Sequence, residues 1–128
     1  MRATRSFHVV LAAAALWLAG CATTPAPRVA LDVVPVAQRV RAEENVRVFS
    51  QVWSLVHDLH YDPKLQGVDW TAAGVSYGPR AAEAADDKAL YTALNDMVGL
   101  LKDSHTRALT PEQARERRTQ LRARTGFN

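Results

Sequence analysis

Hydrophobic and polar residues alternate with a helical period through the middle of the chain. From about residue 41 to His60, apolar side chains recur at a spacing of ~3.6 residues and fall on one broad arc. That arc is made of Val46, Val48, Phe49, Val52, Trp53, Leu55, Val56 and Leu59. Glu43 and Glu44 lie in the first turn, where carboxylates favour the positive end of the helix dipole. The pattern predicts a first helix, which ends before Asp62-Pro63 turns the chain.

Two further helices are predicted between residues 69 and 102. Asp69 is a candidate N-cap for a short helix that Gly78-Pro79 is expected to end. One face of this helix is expected to carry Trp70, Ala73 and Tyr77. Asp86 or Asp87 caps the next helix. Its apolar side chains follow the helical period at Leu90, Leu94, Met97, Val98 and Leu101.

The pattern changes after Lys102. Residues 104–109 favour a short extended segment, and Thr110-Pro111-Glu112-Gln113 resembles a capping box with proline at the first helical position. The helix predicted to follow, as far as about Arg124, is polar on nearly every side. The predicted fold class is therefore mainly α: a small bundle of three core helices, one short extended segment and one polar C-terminal helix.

The N-terminus has the pattern of a bacterial lipoprotein signal peptide. Arg2 and Arg5 precede an apolar run, 8–18, which is too short to span a bilayer as a helix. The run ends in Leu18-Ala19-Gly20-Cys21, which resembles the cleavage box in which a cysteine accepts lipid. We expect residues 1–20 to be the signal peptide and Cys21 the lipidation site. The alternative is an ordinary secretory peptide with an incidental cysteine.

Lipidation at Cys21 would anchor the protein to a membrane of the bacterial cell envelope. Ala22 follows the cysteine in place of aspartate, which in Gram-negative lipoproteins favours the periplasmic face of the outer membrane. Cys21 is the only cysteine, so no intramolecular disulfide is expected. Residues 21–39 contain three prolines without a sustained period, and they are predicted to form an extended tether.

The charge balance points to no particular partner. The formal net charge of +3 falls to +1 when Arg2 and Arg5 are removed with the signal peptide. The basic tail lacks aromatic side chains for stacking on bases, which favours a solvated helix face over a phosphate-binding strip. Its arginines are Arg115, Arg117, Arg118, Arg122 and Arg124. No Gly-rich phosphate loop is present. We therefore expect no nucleic acid partner and no cofactor.

Histidines supply the candidate chemistry. His57 and His60 are spaced i, i+3, which would suit two metal ligands, but core or rim histidines with local hydrogen bonds are the commoner outcome and no metal is expected. A metal site using these two and His105 would have to retain stoichiometric zinc. Ser104-His105 is the only Ser-His pair in the chain. Adjacent residues of an extended segment point to opposite faces, so Ser104 is poorly placed as a nucleophile activated by His105. A polar turn closing a helix is the competing interpretation.

The order of these motifs resembles a known family. The chain is similar to the N-terminal helical region of the tail-specific (C-terminal processing) and tricorn-core serine peptidases. The segments that carry this resemblance are, in order, residues 48–61, Gly67-Val68-Asp69-Trp70, a helix ending in Leu100-Leu101, and Lys102-Asp103-Ser104-His105-Thr106. The resemblance covers about residues 40–128. It implies a helical cap at residues 40–109 and a polar helix at 110–128 leading toward a PDZ-type module and an α/β catalytic domain.

The resemblance also implies roles for two residues. In the tricorn-core branch the cap contributes the histidine base, so His105 would be the general base and Ser104 a residue of the network that orients it. In the processing branch the nucleophilic serine is paired with lysine. We expect a serine endopeptidase acting on peptide or protein substrates, with this 128-residue chain as a truncated front part that is inactive alone. The alternative is a free-standing small lipoprotein that binds a protein partner through an apolar helix face.

Overall fold

Four α-helices dominate the computed structural model, which describes residues 24–126. They are α1 (Arg39–Leu59), α2 (Trp70–Ala82), α3 (Asp87–Gly99) and α4 (Pro111–Thr125). Short 3-10 turns lie at Val36–Gln38 and Leu65–Gly67, and residues 24–126 contain no strand. The predicted mainly α class is confirmed. The predicted signal peptide and Cys21 lie outside the described residues.

Helices α1, α2 and α3 enclose one core. Its largest fully buried side chains are Trp53, Phe49, Leu94, Met97, Leu101 and Val98. Trp53 and Trp70 join α1 to α2 by reciprocal hydrogen bonds: the Trp53 indole N–H donates to the Trp70 carbonyl at 2.9 Å, and the Trp70 indole N–H donates to the Trp53 carbonyl at 3.0 Å. Each indole thus buries its only polar atom with a partner, at the point where the two helices touch.

A buried amide ties α1 to the end of α2. The Asn45 side chain is 1% exposed, and its Nδ2 donates to the carbonyls of Ala82 and Ala84 at 3.3 and 2.9 Å. The last carbonyls of a helix have no partners within that helix. Asn45 therefore satisfies the C-terminal end of α2 from within the core, which is why a polar residue occupies the apolar side of α1.

Helix α2 continues through Gly78-Pro79, so the predicted break there is wrong. Pro79 lies on the exposed side of the helix, and its carbonyl accepts the Glu83 N–H at 3.0 Å, which closes the following turn. The next turn buries Ala81 and Ala82 in the core. Burial on the inner side thus holds the helix together across a proline, which removes one backbone donor.

The segment before α1 lies against the bundle. Residues 24–31 have no regular secondary structure, yet Ala26 and Val29 pack against the core, and Val34 is 4% exposed. Residues predicted as a tether therefore contribute apolar contacts to the folded unit. The domain boundary near residue 40 stays a prediction.

Gly74 is a position where both this segment and α1 come close to α2. A Cβ at Gly74 would lie 2.5 Å from Trp53 Nε1 and 2.6 Å from Pro27 Cγ. Gly74→Ala is therefore expected to lower the free energy of unfolding by about 1–3 kcal/mol. The matched control is Gly99→Ala, where a Cβ meets nothing within 4 Å and a gain of up to about 1 kcal/mol is expected. Urea unfolding of both variants checks this, and equal stability of the two would contradict the close packing.

Helix α4 has the predicted capping box. Thr110 Oγ1 accepts the Gln113 N–H at 3.3 Å, and Gln113 Oε1 accepts the Thr110 N–H at 3.0 Å. Gly126 ends the helix in the left-handed conformation, with φ 65°. No residue of α4 is buried, as its polar sequence predicts. None of the helices in residues 24–126 is both long and apolar enough to cross a bilayer.

Candidate functional site

The candidate site lies in the loop between α3 and α4. At its start Leu101 is 1% exposed, and Lys102 turns the chain with a φ of 51°. Near its end the Asn95 side chain pairs with the backbone of Ala108: Nδ2 donates to the carbonyl and Oδ1 accepts the N–H, both at 2.9 Å. Two anchors therefore fix the loop, and residues 103–107 are displayed between them.

Asp103 is the centre of this loop. Its side chain is only 5% exposed. Oδ2 accepts the Thr106 hydroxyl, while Oδ1 accepts the His105 backbone N–H at 2.9 Å and lies 3.1 Å from His105 Nδ1. The hydrogen bonds from Thr106 and from the His105 backbone hold the pKa of Asp103 down at about 2. Asp103 is therefore a carboxylate at neutral pH.

The His105 ring is held at one nitrogen and open at the other. Because ionised Asp103 accepts only, its contact with Nδ1 favours the tautomer that carries the proton on Nδ1. Nε2 is then the basic nitrogen, on a side chain that is 92% exposed. In a Ser-His-Asp triad a carboxylate likewise orients the histidine through Nδ1 and leaves Nε2 to take a proton.

Ser104 lies next to this pair but does not orient it here. The side chain that contacts the His105 ring is Asp103. Ser104 is exposed and lines a cavity of about 400 Å³ together with Asp103, Asn95 and Gln113. The role of Ser104 in orienting His105 stays a prediction.

His60 reaches the site from the end of α1, which the sequence did not indicate. Its side chain is 1% exposed, and its Nε2 lies 3.7 Å from Asp103 Oδ2. Its Nδ1 lies 3.0 Å from the Asp62 carbonyl oxygen and 3.2 Å from the Asp62 nitrogen. Asp103 thus faces one histidine with each oxygen, a buried one at Oδ2 and an exposed one at Oδ1.

His57 and His60, the histidine pair considered as metal ligands, have different neighbours in the structure. His57 stacks on Trp53 with ring centroids 5.1 Å apart, and its Nδ1 lies 2.8 Å from Asp58 Oδ1. His60 faces Asp103 instead. Within residues 24–126, no group of three or more His, Cys, Asp or Glu side chains is arranged to hold a metal ion.

An apolar cleft adjoins the site. Leu55, Leu59 and Tyr61 are 57, 74 and 70% exposed. With His60, Asp103, His105 and their neighbours they line a cavity of about 350 Å³. The outer part of the predicted apolar arc of α1 is therefore open to solvent beside the exposed histidine.

The comparisons with known proteins bear on the helices that carry this loop. Residues 41–99 match the Tricorn protease C1 domain. This match supports a relation of the segment that forms α1, α2 and α3 to the tricorn and tail-specific protease family. No curated protein and no solved structure matches the chain significantly. The loop with Asp103 and His105 follows directly after the C1 match.

Asp103 gives the loop after the C1 segment a testable pH dependence. A carboxyl whose folded pKa of about 2 lies below its ordinary 3.8 stabilises the fold at pH values above ~4, and this contribution is lost as the pH falls toward 2. Asp103→Asn is therefore expected to destabilise the protein most at pH 6 and progressively less from pH 4 to pH 2. Urea unfolding across this range measures the difference.

The matched control is Asp96→Asn, which removes a half-exposed carboxylate paired with Arg80 at 2.7 Å. An ion pair in contact with solvent contributes little, so this change is expected to have a small effect at pH 6. If Asp103→Asn costs no more than Asp96→Asn at pH 6, the Asp103 network does not stabilise the loop.

Proposed function

We propose that this chain contributes the histidine base of a serine-type endopeptidase site. His105 is the general base and Asp103 orients it, while the nucleophilic serine belongs to a catalytic domain outside these residues. The contact between Asp103 Oδ1 and His105 Nδ1, at 3.1 Å, carries this proposal. The match between residues 41–99 and the tricorn protease C1 domain supports this proposal.

The chemistry follows from the orientation of the ring. A serine hydroxyl brought within about 3 Å of His105 Nε2 gives its proton to that nitrogen while its oxygen attacks the peptide carbonyl carbon. Ionised Asp103 stabilises the imidazolium that forms, and His105 then returns the proton to the amine that leaves. Because the proposal assigns the nucleophile and the oxyanion hole to another domain, we expect residues 24–126 alone to hydrolyse no peptide bond.

The apolar cleft gives the catalytic domain a place to dock. Any domain that brings a serine to His105 must cover the adjoining side chains Leu55, Leu59 and Tyr61. Their exposed apolar surface favours such a cover. The same observation favours a second candidate function, in which the chain is a small lipoprotein that binds a separate protein partner through this face of α1.

The first test is to sequence the DNA beyond the codon for Asn128 and to express any continuation of the reading frame. Fluorophosphonate labelling followed by mass spectrometry then identifies a reactive serine. The proposal expects one labelled serine in the continuation and hydrolysis of peptide substrates. A genuine stop codon with no coding continuation, and no labelling of any complex that the chain forms, would overturn it and favour the partner-binding lipoprotein.

We also propose that the protein is anchored by lipid at Cys21 on the periplasmic face of the outer membrane. The signal-peptide pattern before Cys21 supports this address. Cys21→Ser is expected to abolish incorporation of labelled palmitate and to move the protein from the membrane fraction to the soluble one. Cys21 is the only cysteine, so loss of the label reports on that residue alone. Unchanged labelling would exclude lipidation at Cys21.

A further inference from the structure

His60 has an unusual set of surroundings for a buried histidine. Among the side chains of residues 24–126, its Nε2 is the one buried nitrogen or oxygen without a hydrogen-bond partner. That atom faces the carboxylate of Asp103 at 3.7 Å, on a side chain that is 1% exposed. A buried polar atom without a partner is costly, so its position beside a functional carboxylate calls for an explanation.

The tautomer of His60 follows from the atoms around it. A proton on Nδ1 would donate to the Asp62 carbonyl oxygen at 3.0 Å, but it would turn the Nε2 lone pair toward the Asp103 carboxylate. A proton on Nε2 points a donor at that carboxylate, and Nδ1 then accepts the Asp62 backbone N–H at 3.2 Å. The second arrangement gives the Asp62 N–H an acceptor and turns a donor toward the buried carboxylate, and it leaves Nδ1 3.0 Å from the Asp62 carbonyl oxygen. The first arrangement would set two donors, Nδ1–H and the Asp62 N–H, against each other and two acceptors against each other at Nε2.

We propose that His60 is a positioning residue for the His105 base and acts on it through Asp103. The Nε2–H of His60 and the Thr106 hydroxyl hold Asp103 Oδ2, so that Oδ1 is left in place for the backbone and Nδ1 of His105. The present 3.7 Å separation is longer than a hydrogen bond, and a shift of less than about 1 Å closes it. The role of His60 in peptide hydrolysis rests on the proposed function. The effect of His60 on the tautomer of the His105 ring does not.

The position of His60 in the fold makes this coupling direct. His60 follows the last residue of α1, next to the exposed Leu59 and Tyr61 of the apolar cleft. Asp103 belongs to the loop after α3. The contact between the two side chains therefore links the end of α1 to the loop that carries His105, across the floor of the cleft where a catalytic domain would dock.

The test reads the histidine tautomers by ring ¹⁵N chemical shifts in the labelled full chain at pH 7.5. His60 is expected to carry its proton on Nε2 and His105 on Nδ1. His60→Phe keeps an aromatic ring but removes the donor, and is expected to reduce the Nδ1-protonated population of His105 at least twofold. His60→Gln keeps an N–H donor and is expected to restore that population. His57→Phe changes a histidine in the last turn of α1 that stacks on Trp53, and is expected to leave His105 unchanged.

Two results would overturn the proposal. One is a proton on Nδ1 of His60 in the unsubstituted chain, a reading that decides the matter even if His60→Phe does not fold. The other is a folded His60→Phe variant with the same His105 tautomer as the parent. These readouts need no peptidase activity. Failure to find a reactive serine, with the tautomers as expected, would count against the proposed function and leave the coupling of His60 to His105 intact.

Discussion

Trp53→Ala is expected to lower the free energy of unfolding by about 3–5 kcal/mol, the cost of emptying a large core position. The side chain is fully buried, and its ring stacks against that of Trp70 with centroids 6.4 Å apart. The substitution also leaves the Trp70 carbonyl without its indole donor. Small domains are stable by only about 5–15 kcal/mol, so this one change removes a large part of the total.

Two controls separate packing from hydrogen bonding at this position. Trp53→Phe keeps most of the ring and loses the donor, so a smaller cost of about 1–3 kcal/mol is expected. Leu59→Ala lies on the same helix with its side chain 74% exposed, and a change within about 0.5 kcal/mol is expected. Urea unfolding followed by circular dichroism measures all three. If Trp53→Ala costs no more than Leu59→Ala, the junction of α1 and α2 does not hold the bundle together.

The helices were predictable because their signals are local. The apolar period of α1 and α3, the aspartate caps and the capping box of α4 each depend on residues within one or two turns of one another. Asp69 and Asp86 accept the backbone N–H groups of Ala72 and Ala89 at 2.9 and 2.7 Å, as N-caps should. Such contacts form in any fold that contains the helix, so the sequence alone is enough to predict them.

The errors of prediction come from contacts between distant segments. Pro79 predicts a helix end by its own chemistry, but the burial of Ala81 and Ala82 depends on packing against other elements. Val29 belongs to a segment with no period, yet it packs against α2 beside Gly78. Asn45 was given no role by the sequence, because its partners are the carbonyls at the end of α2. None of these partners lies within the local pattern.

In the candidate site, too, residues with local sequence signals could be predicted and a residue that acts across the fold could not. His105 stood out because it forms the only Ser-His pair and belongs to a motif that resembles a family. The sequence analysis assigned no role to Asp103, although a carboxylate two residues before a histidine was a signal that could have indicated their contact. His60 offered no such signal, because the contact of its Nε2 with Asp103 Oδ2 joins residues 43 positions apart. A side chain that acts across the fold is found only once the fold is known.

His105→Ala, made in the longer protein with its catalytic domain, is expected to lower kcat/KM by roughly 10⁴- to 10⁶-fold, as loss of a triad histidine does. The loss arises because the serine hydroxyl then has no base to take its proton. The helical bundle should remain folded, since the side chain is 92% exposed. Rates of peptide hydrolysis and of fluorophosphonate labelling measure the effect, with circular dichroism as the check on folding.

The matched control is His57→Ala, which removes a histidine that stacks on Trp53 and has no part in the Asp103 network. Its kcat/KM is expected to stay within a few-fold of the parent value. The comparison also decides between the two mechanisms known in the family that the chain resembles. A lysine base in the catalytic domain would leave the His105→Ala enzyme about as active as the His57→Ala enzyme. The Asp103–His105 pair would then serve to hold the loop, and the resemblance would point to the processing branch instead of the tricorn-core branch.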